Sequence, residues 1–284
     1  MLNVLSAIEL SKDYLEKKGI ESPRINADLL LADILGCKRM DLYLKFDQPL
    51  AEEEIVKYRE YIARRGKGEP LQYIVGEVEF YGLNFKVNPN VLIPRPETEI
   101  LVEKIIENTN GHQNLRILDI GTGSGNIIIS LVKNIENSEG VSIDISEEAI
   151  EVAKENSLSQ NLETKITFLK KDVLHEDLEI LDKFDIIVSN PPYVSEDEYD
   201  TLQEEITNHE PKNAVTDFGN GLTFYETISE KAKYILQPKS KLYFEVGQNQ
   251  AELVREILLN KNFTNIEIVK DYASIERIIF GELI

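Results

Sequence analysis

The sequence predicts an α/β protein. An open, mostly parallel sheet of seven strands is covered by helices on both faces. A small all-helical N-terminal region and a connecting β-hairpin precede it. Three observations carry this prediction. From residue 115 onward, short runs rich in Ile, Val and Leu alternate with helix-periodic segments, the pattern of a buried parallel sheet. Before residue 72 apolar residues recur only at helical spacing. Between these regions, 73–92 is rich in Tyr, Ile, Val and Phe and is interrupted by Gly76 and Gly82, as a hairpin requires.

Helices are predicted in 2–17, 26–35 and 52–65, with Pro23, Gly36, Pro49 and Gly66 between or just after them. In the first, Leu2, Leu5, Ile8, Leu10 and Leu15 are expected near one face. The predicted strands are LRILDI (115–120), GVSIDI (140–145), KITFLK (165–170), FDIIVSN (184–190), KLYFEV (241–246), NIEIVKD (265–271) and SIERIIFG (274–281). Helices are expected over 126–135, 146–160, 222–236 and 249–260. Ser146 is placed to cap the second of these, with Glu147 and Glu148 at its positive end. The last two strands have no room for a helix between them, so one should be antiparallel. The expected divisions are 1–72, helical; 73–92, hairpin linker; and 93–284, the α/β domain.

Composition narrows the function classes. With 31 basic against 51 acidic side chains the formal charge is -20, which repels phosphate backbones at long range. One cysteine, Cys37, excludes an intrachain disulfide. His112, His175 and His209 are scattered, so no transition-metal site is expected. The N-terminus lacks a basic start and a long apolar run, and no segment reaches the roughly 20 apolar residues of a membrane span, so a cytoplasmic protein is expected.

The sharpest local signal is Asp119-Ile-Gly121-Thr122-Gly123-Ser124-Gly125, directly after one strand and directly before a helix. Small residues let the backbone turn tightly and let a ligand approach the main chain, beside the free N–H groups of a helix start. The next strand ends in Asp144, 19 positions after Gly125, where a carboxylate can accept from both ribose hydroxyls of a nucleoside cofactor. Asp172 follows the third strand at the same sheet edge and can border an adenine. A dinucleotide fingerprint would need Gly or Ala at position 126, which is Asn; the GxGxG spacing better fits S-adenosylmethionine, although a nicotinamide cofactor or an unliganded turn remain the competing readings.

The fourth strand stops in Asn190-Pro191-Pro192-Tyr193. Two successive prolines remove two backbone donors and leave carbonyls free to face a ligand. The Asn190 side-chain oxygen and the Pro191 carbonyl can accept the two N–H bonds of a planar –NH2 group, and the ring of Tyr193 can stack on its plane. An amide or exocyclic amine nitrogen is a poor nucleophile, and holding it against a methyl donor can supply several kcal/mol, about 7–11 in the best cases. The plainer reading is a turn, since Asn-Pro is a common turn pair.

These residues closely resemble the peptide chain release factor glutamine methyltransferases, the HemK/PrmC family. The likeness runs through RRGKGEPLQYIVGEVEF (64–80), VLIPRPETE (91–99), ILDIGTGSG (117–125), Asp144, SNPPY (189–193), HEPKNAV and GNGLTFY (209–225) and DYASIERI (271–278). The resemblance implies a Rossmann-like class I methyltransferase domain behind a helical N-terminal domain that helps select the protein substrate. It implies transfer of a methyl group from S-adenosylmethionine, leaving S-adenosylhomocysteine, to the side-chain amide (N5) of the glutamine in the Gly-Gly-Gln motif of class 1 release factors. Carried over, Gly121, Thr122, Gly123, Ser124, Gly125 and Asp144 would bind the cofactor, with Asp172 and Val173 near the adenine. A tryptophan stands at the Val173 position in some relatives, so contact there would be weaker than stacking. Asn190, Pro191, Pro192 and Tyr193 would bind the glutamine, with Asn190 close to both molecules and Asn190, Pro191 and Tyr193 catalytic. A monomer with no stable nucleic-acid or membrane partner is expected.

Other segments read two ways. Pro94 and Pro96 stiffen a linker or line the cofactor pocket; Thr98 and Glu99 can start a helix. Glu210-Pro211 is a turn or a substrate-side loop. Arg64, Arg65 and Lys67 read by default as a solvated helix end. The competing functions are an adenine or guanine N-methyltransferase, which the acidic charge disfavours; a binding module that has lost catalysis; and a nicotinamide oxidoreductase, disfavoured by Asn126.

Overall fold

The computed structural model describes residues 2–109 and 111–284. It divides into two units. The first ends at Glu77 and also takes in Gln203–His209; the second comprises Val78–Leu202 and Glu210–Ile284.

The first unit is helical: α1 (Val4–Lys17), α2 (Pro23–Ile34), α3 (Glu52–Arg65) and the short α4 (Leu71–Val75). Asn3 caps α1 by accepting from Ser6 N, and Pro23 opens α2 at a position where its missing N–H costs nothing. Val4, Ala7, Ile8 and Leu15 of α1 pack with Leu30, Leu31, Tyr58 and Ile62. Leu10 was expected on that face but is 64% exposed, because two residues beyond Ile8 a helix has turned by about 200°. Arg65 also departs from the solvated-end reading. It is buried, and its guanidinium donates to Asn26 Oδ1 (2.7 Å), the Glu69 carbonyl (2.8 Å) and Glu205 Oε2 (2.8 Å).

The hairpin is shorter than its sequence signal. Tyr73–Val75 belong to α4, which begins after Pro70 and ends at Gly76 with φ +88. Strands β1 (Glu77–Phe80) and β2 (Leu83–Lys86) then pair, and Phe80 and Phe85 are buried beside α5 (Pro96–Thr109).

The sheet contains β3 (Arg116–Ile120), β4 (Glu139–Asp144), β5 (Ile166–Lys170), β6 (Phe184–Ser189), β7 (Leu236–Glu245), β8 (Phe263–Lys270) and β9 (Glu276–Leu283). Among the described residues its order is β5-β4-β3-β6-β7-β9-β8. The pairs from β5 through β7 are parallel, and β9 runs antiparallel to both β7 and β8, as the short final connection requires. Helices α6 (Asn126–Asn134), α7 (Glu147–Ser159), α10 (Thr223–Ile235) and α11 (Ala251–Asn260) link strands, while α8 (Glu196–Tyr199) and α9 (Glu204–His209) follow β6. Side chains alternate across the strands. Ile117, Ile186 and Val188 face Leu101, Ile105 and Ile128, whereas Leu118, Ile187 and Phe244 face Ile228, Ala232 and Val254. The fold is therefore a Rossmann-like α/β sheet with two apolar layers. Among the described residues no helix is long and apolar enough to cross a membrane.

Candidate active site

The parallel register gathers the sequence motifs. Ile120 pairs with Ile143 on one side and Ser189 on the other. Gly121 thus leaves β3 between the ends of β4 and β6, beside Asp144 and Asn190. The pairing of Asp144 with Lys170 brings Asp172 to the same edge. Carboxyl ends of strands where connections diverge are where open α/β sheets bind ligands.

A cavity of about 300 Å³ opens there. Gly121, Thr122, Gly123, Ser124, Asp144, Asp172, Val173, Asn190, Pro191 and Pro192 line it. Gly121 and Gly123 have φ +89 and +52, and a Cβ at either would meet no protein atom closer than 3.9 Å. Their missing side chains leave room over the loop. Gly125 differs. It does not border the cavity, and its Cβ would stand 2.9 Å from Ile129 Cδ1 and 3.1 Å from Ala153 Cβ. The third glycine lets α6 lie against α7.

Asp144 shapes the loop. Its Oδ2 accepts from Gly123 N (3.0 Å) and its Oδ1 from Ser146 N (2.9 Å). Burial raises its carboxyl above the ordinary value, and these backbone donors oppose the rise. The oxygens keep lone pairs for two hydroxyl donors. Beneath the loop Ser142 donates to Asp119 Oδ2 (2.8 Å), which leaves Thr122 to donate to Ser142 (2.7 Å). Asp119 is fully enclosed, and burial raises its carboxyl well above the usual range. Asp172 is exposed to the opposite balance: burial would raise it, but bonds from His175 (2.8 Å) and Leu174 N (2.8 Å) hold it below its ordinary value.

At the other wall, Ser189 donates to the Ile120 carbonyl (2.6 Å), fixing the end of β6 against the glycine loop. Asn190 follows and directs Nδ2 to Thr98 Oγ1 (3.3 Å). The ring of Tyr193 does not border the cavity. It packs against the apolar layer beneath, where burial pushes its hydroxyl up, and its carbonyl accepts from Gln250 Nε2 (2.9 Å).

Both ambiguous segments border the cavity. Pro94, Arg95 and Thr98 line it from one side and Pro211 from another, and Arg95 pairs with the buried Glu210. Sequence reasoning missed Phe218, a half-exposed cavity residue at φ +56. It also missed Glu245, whose Oε2 accepts from Thr98 Oγ1 (2.6 Å) behind the wall. A non-glycine in left-handed backbone gives no sequence signal, and Glu245 lies in an ordinary strand.

Comparison with known proteins places this geometry. Residues 6–76 match the PrmC N-terminal domain and 111–277 match a methyltransferase domain. Among solved structures, a methyltransferase from Pyrococcus furiosus superposes with a TM-score of 0.53 at 18% identity, covering 72% of this chain and 90% of that one. The hMettl16 catalytic domain in complex with the MAT2A 3'UTR hairpin 6 does so with a TM-score of 0.59 at 17% identity, covering 82% of each. At such identities the likeness concerns the fold. The Release factor glutamine methyltransferase of Rhodopirellula baltica is 37% identical, over 97% of this chain and 95% of its own length. That of Fusobacterium nucleatum subsp. nucleatum is 42% identical, over 98% of this chain and 78% of its own. With the whole fold and both domains matched at these levels, this chain belongs to the release factor glutamine methyltransferase family.

Proposed function

We propose that this protein methylates the side-chain amide nitrogen, N5, of the glutamine in the GGQ motif of class 1 release factors, with S-adenosylmethionine as donor. It would act in the cytoplasm as a monomer, with the region 1–72 selecting the protein substrate, 73–92 linking, and 93–284 carrying the chemistry. The observation that carries the reading is the juxtaposition of Asn190-Pro191 with the open glycines Gly121 and Gly123 across one cavity.

The residues present fit the donor. The loop 121–124 offers a surface free of side chains at Gly121 and Gly123, Asp144 offers acceptors for ribose hydroxyls, and Asp172 and Val173 border the same space. Bound there, S-adenosylmethionine supplies an electrophilic methyl group. The chain's own residues do the rest. Asn190 Oδ1 and the Pro191 carbonyl accept the two N–H bonds of the substrate amide, which holds its nitrogen in place and favours electron density on it. Val91, Leu92 and Phe224 give the cavity apolar walls. No residue needs to remove a proton first, because the nitrogen becomes acidic once methylated. Tyr193 supports the clamp from beneath by packing and through its carbonyl.

Labelled S-adenosylmethionine, offered with a class 1 release factor, with DNA and with total RNA, tests the reading. A methyl group on the GGQ glutamine, located by peptide mass spectrometry, is expected. Label on adenine or guanine with the release factor untouched would overturn it.

A further inference from the structure

Behind Asn190 the wall of the cavity is polar and closed. Glu245, the last residue of β7, is 3% exposed, and Thr98, in the first turn of α5, is 2% exposed. The Thr98 hydroxyl has one proton, and it lies 2.6 Å from Glu245 Oε2. Against an ionised carboxylate that proton can only be donated to Glu245. Thr98 Oγ1 then has lone pairs alone for its other neighbour, the Asn190 amide at 3.3 Å. The group turned toward Thr98 must be the NH2, so Oδ1 is turned away from it.

We propose that Glu245 and Thr98 form a buried relay that fixes the orientation of the Asn190 amide, so that its oxygen rather than its NH2 meets the substrate. The proposal rests on the reading of Asn190 as the acceptor for the substrate amide. In this role Glu245 and Thr98 are positioning residues: neither needs to touch the substrate, and both act through Asn190. A reversed Asn190 would present its NH2 to the substrate's NH2, donor against donor.

The surroundings of Glu245 allow the relay to switch. Thr98 and Glu97 face it from α5, Asn190 and Tyr193 from the segment after β6, Arg277 from β9, and Tyr225 from α10, whose hydroxyl donates to the Glu245 carbonyl (3.0 Å). Arg277 is the nearby cation and is shared with Asp271 at 3.2 Å. Burial raises the Glu245 carboxyl to about 7, opposed by the bonds from Thr98 and Asn190 and by Arg277. A protonated Glu245 can donate to Thr98, which can then donate to Asn190 Oδ1 and stabilise the reversed amide. Ionisation of Glu245 therefore selects the productive orientation, and transfer should increase as pH rises through 7.

The experiment uses the full chain with 15N-labelled Asn side chains and reads the Asn190 amide by NMR across pH 5.5–8.5, alongside kcat on a release factor. The Asn190 signal is expected to titrate with a midpoint near 7 in the native protein and in Thr98→Ser, to lose that titration in Glu245→Gln, and to titrate with a smaller amplitude in Thr98→Val, where only the direct bond from Asn190 to Glu245 remains. The last two should lower kcat at least tenfold with cofactor affinity within threefold of native, and Thr98→Ser should restore most of it. An Asn190 signal that does not titrate in the native protein, or a Thr98→Val and Glu245→Gln pair with native kcat and pH profile, would overturn the relay. The NMR readout stands without turnover. A native protein that leaves the release factor unmethylated while Asn190 still titrates would therefore overturn the proposed substrate and support the relay. Thermal unfolding of each variant identifies any loss that is merely one of folding.

Discussion

Gly125 and Gly123 of the GTGSG loop should fail in different ways when each gains a methyl group. In Gly125→Ala two costs add. The backbone stands at φ +79, a left-handed conformation that costs an alanine about 1–2 kcal/mol. The new Cβ also sits 3.1 Å from Ala153 Cβ, which cannot rotate away, and 2.9 Å from Ile129 Cδ1, which can. Overpacking of this kind costs about 1–3 kcal/mol. A loss of about 3 kcal/mol corresponds to a fall in Tm of roughly 6–12 °C for a domain of this size. In Gly123→Ala the backbone term remains at φ +52, but the Cβ meets nothing within 4 Å. Its Tm should fall by less, about 2–8 °C. Its methyl group instead takes up room over the loop, so affinity for S-adenosylmethionine should fall at least tenfold. Thermal unfolding without ligand and calorimetric titration of the cofactor separate the two effects. The reasoning would be refuted by the reverse pattern: a Gly125→Ala protein of native Tm with weakened binding, or a Gly123→Ala protein that binds normally.

Three further outcomes follow from the geometry. Asn190→Ala should keep the native Tm within a few degrees and most cofactor affinity, yet lose methyl transfer by on the order of 10²-fold, measured in single turnover. Arg95→Met strips the buried Glu210 of its cation and should cost about 3 kcal/mol by urea unfolding, whereas replacing Arg95 and Glu210 together by apolar residues should cost less. Glu245→Gln should stabilise the protein increasingly with pH. The native carboxyl titrates at about 7 when folded against 4.5 when exposed, so the folded state binds more protons between those values and loses stability, up to about 3 kcal/mol, as pH rises from 4.5 to 7. The difference in Tm between variant and native protein should grow from pH 5 to pH 7 and stay level above it.

The parts of the fold legible in the sequence are those decided within one segment. Ile117-Leu118 and Ile186-Ile187-Val188 bury both faces of their strands, and such runs announce a central parallel sheet. Ser146 caps α7 by accepting from Ala149 N, a local arrangement visible from residue type and spacing. Asp144 and Asn190 could be placed because strand ends converge on one edge whatever the loops do. What could not be read depends on partners far apart in the chain. Thr98 and Glu245 are separated by 147 positions, and Arg65 and Glu205 by 140. Neither residue type nor spacing reveals such pairs. Arg65 at the end of a helix looks solvated until its three acceptors are known. Likewise a glycine signals an open backbone but not whether a ligand or a neighbouring helix occupies the space, which is why Gly125 and Gly123 read alike.

The excursion of Gln203–His209 into the helical unit has a consequence for how the protein can be taken apart. The chain passes between the two units three times, at Glu77–Val78, Leu202–Gln203 and His209–Glu210. The helical unit is thus threaded into its neighbour's sequence rather than appended in front of it. A chain begun at Val78 would leave α9 without Arg65, whose guanidinium holds Glu205. That orphaned turn would lie in the stretch leading directly into Glu210, the carboxylate that engages Arg95 and the Ile93 backbone. Deleting the N-terminal helices should therefore loosen the loop that carries Glu210 as well as removing the helical unit. An α/β unit freed of its helical neighbour would have to be cut at all three crossings and rejoined at two of its new ends, not merely trimmed at one.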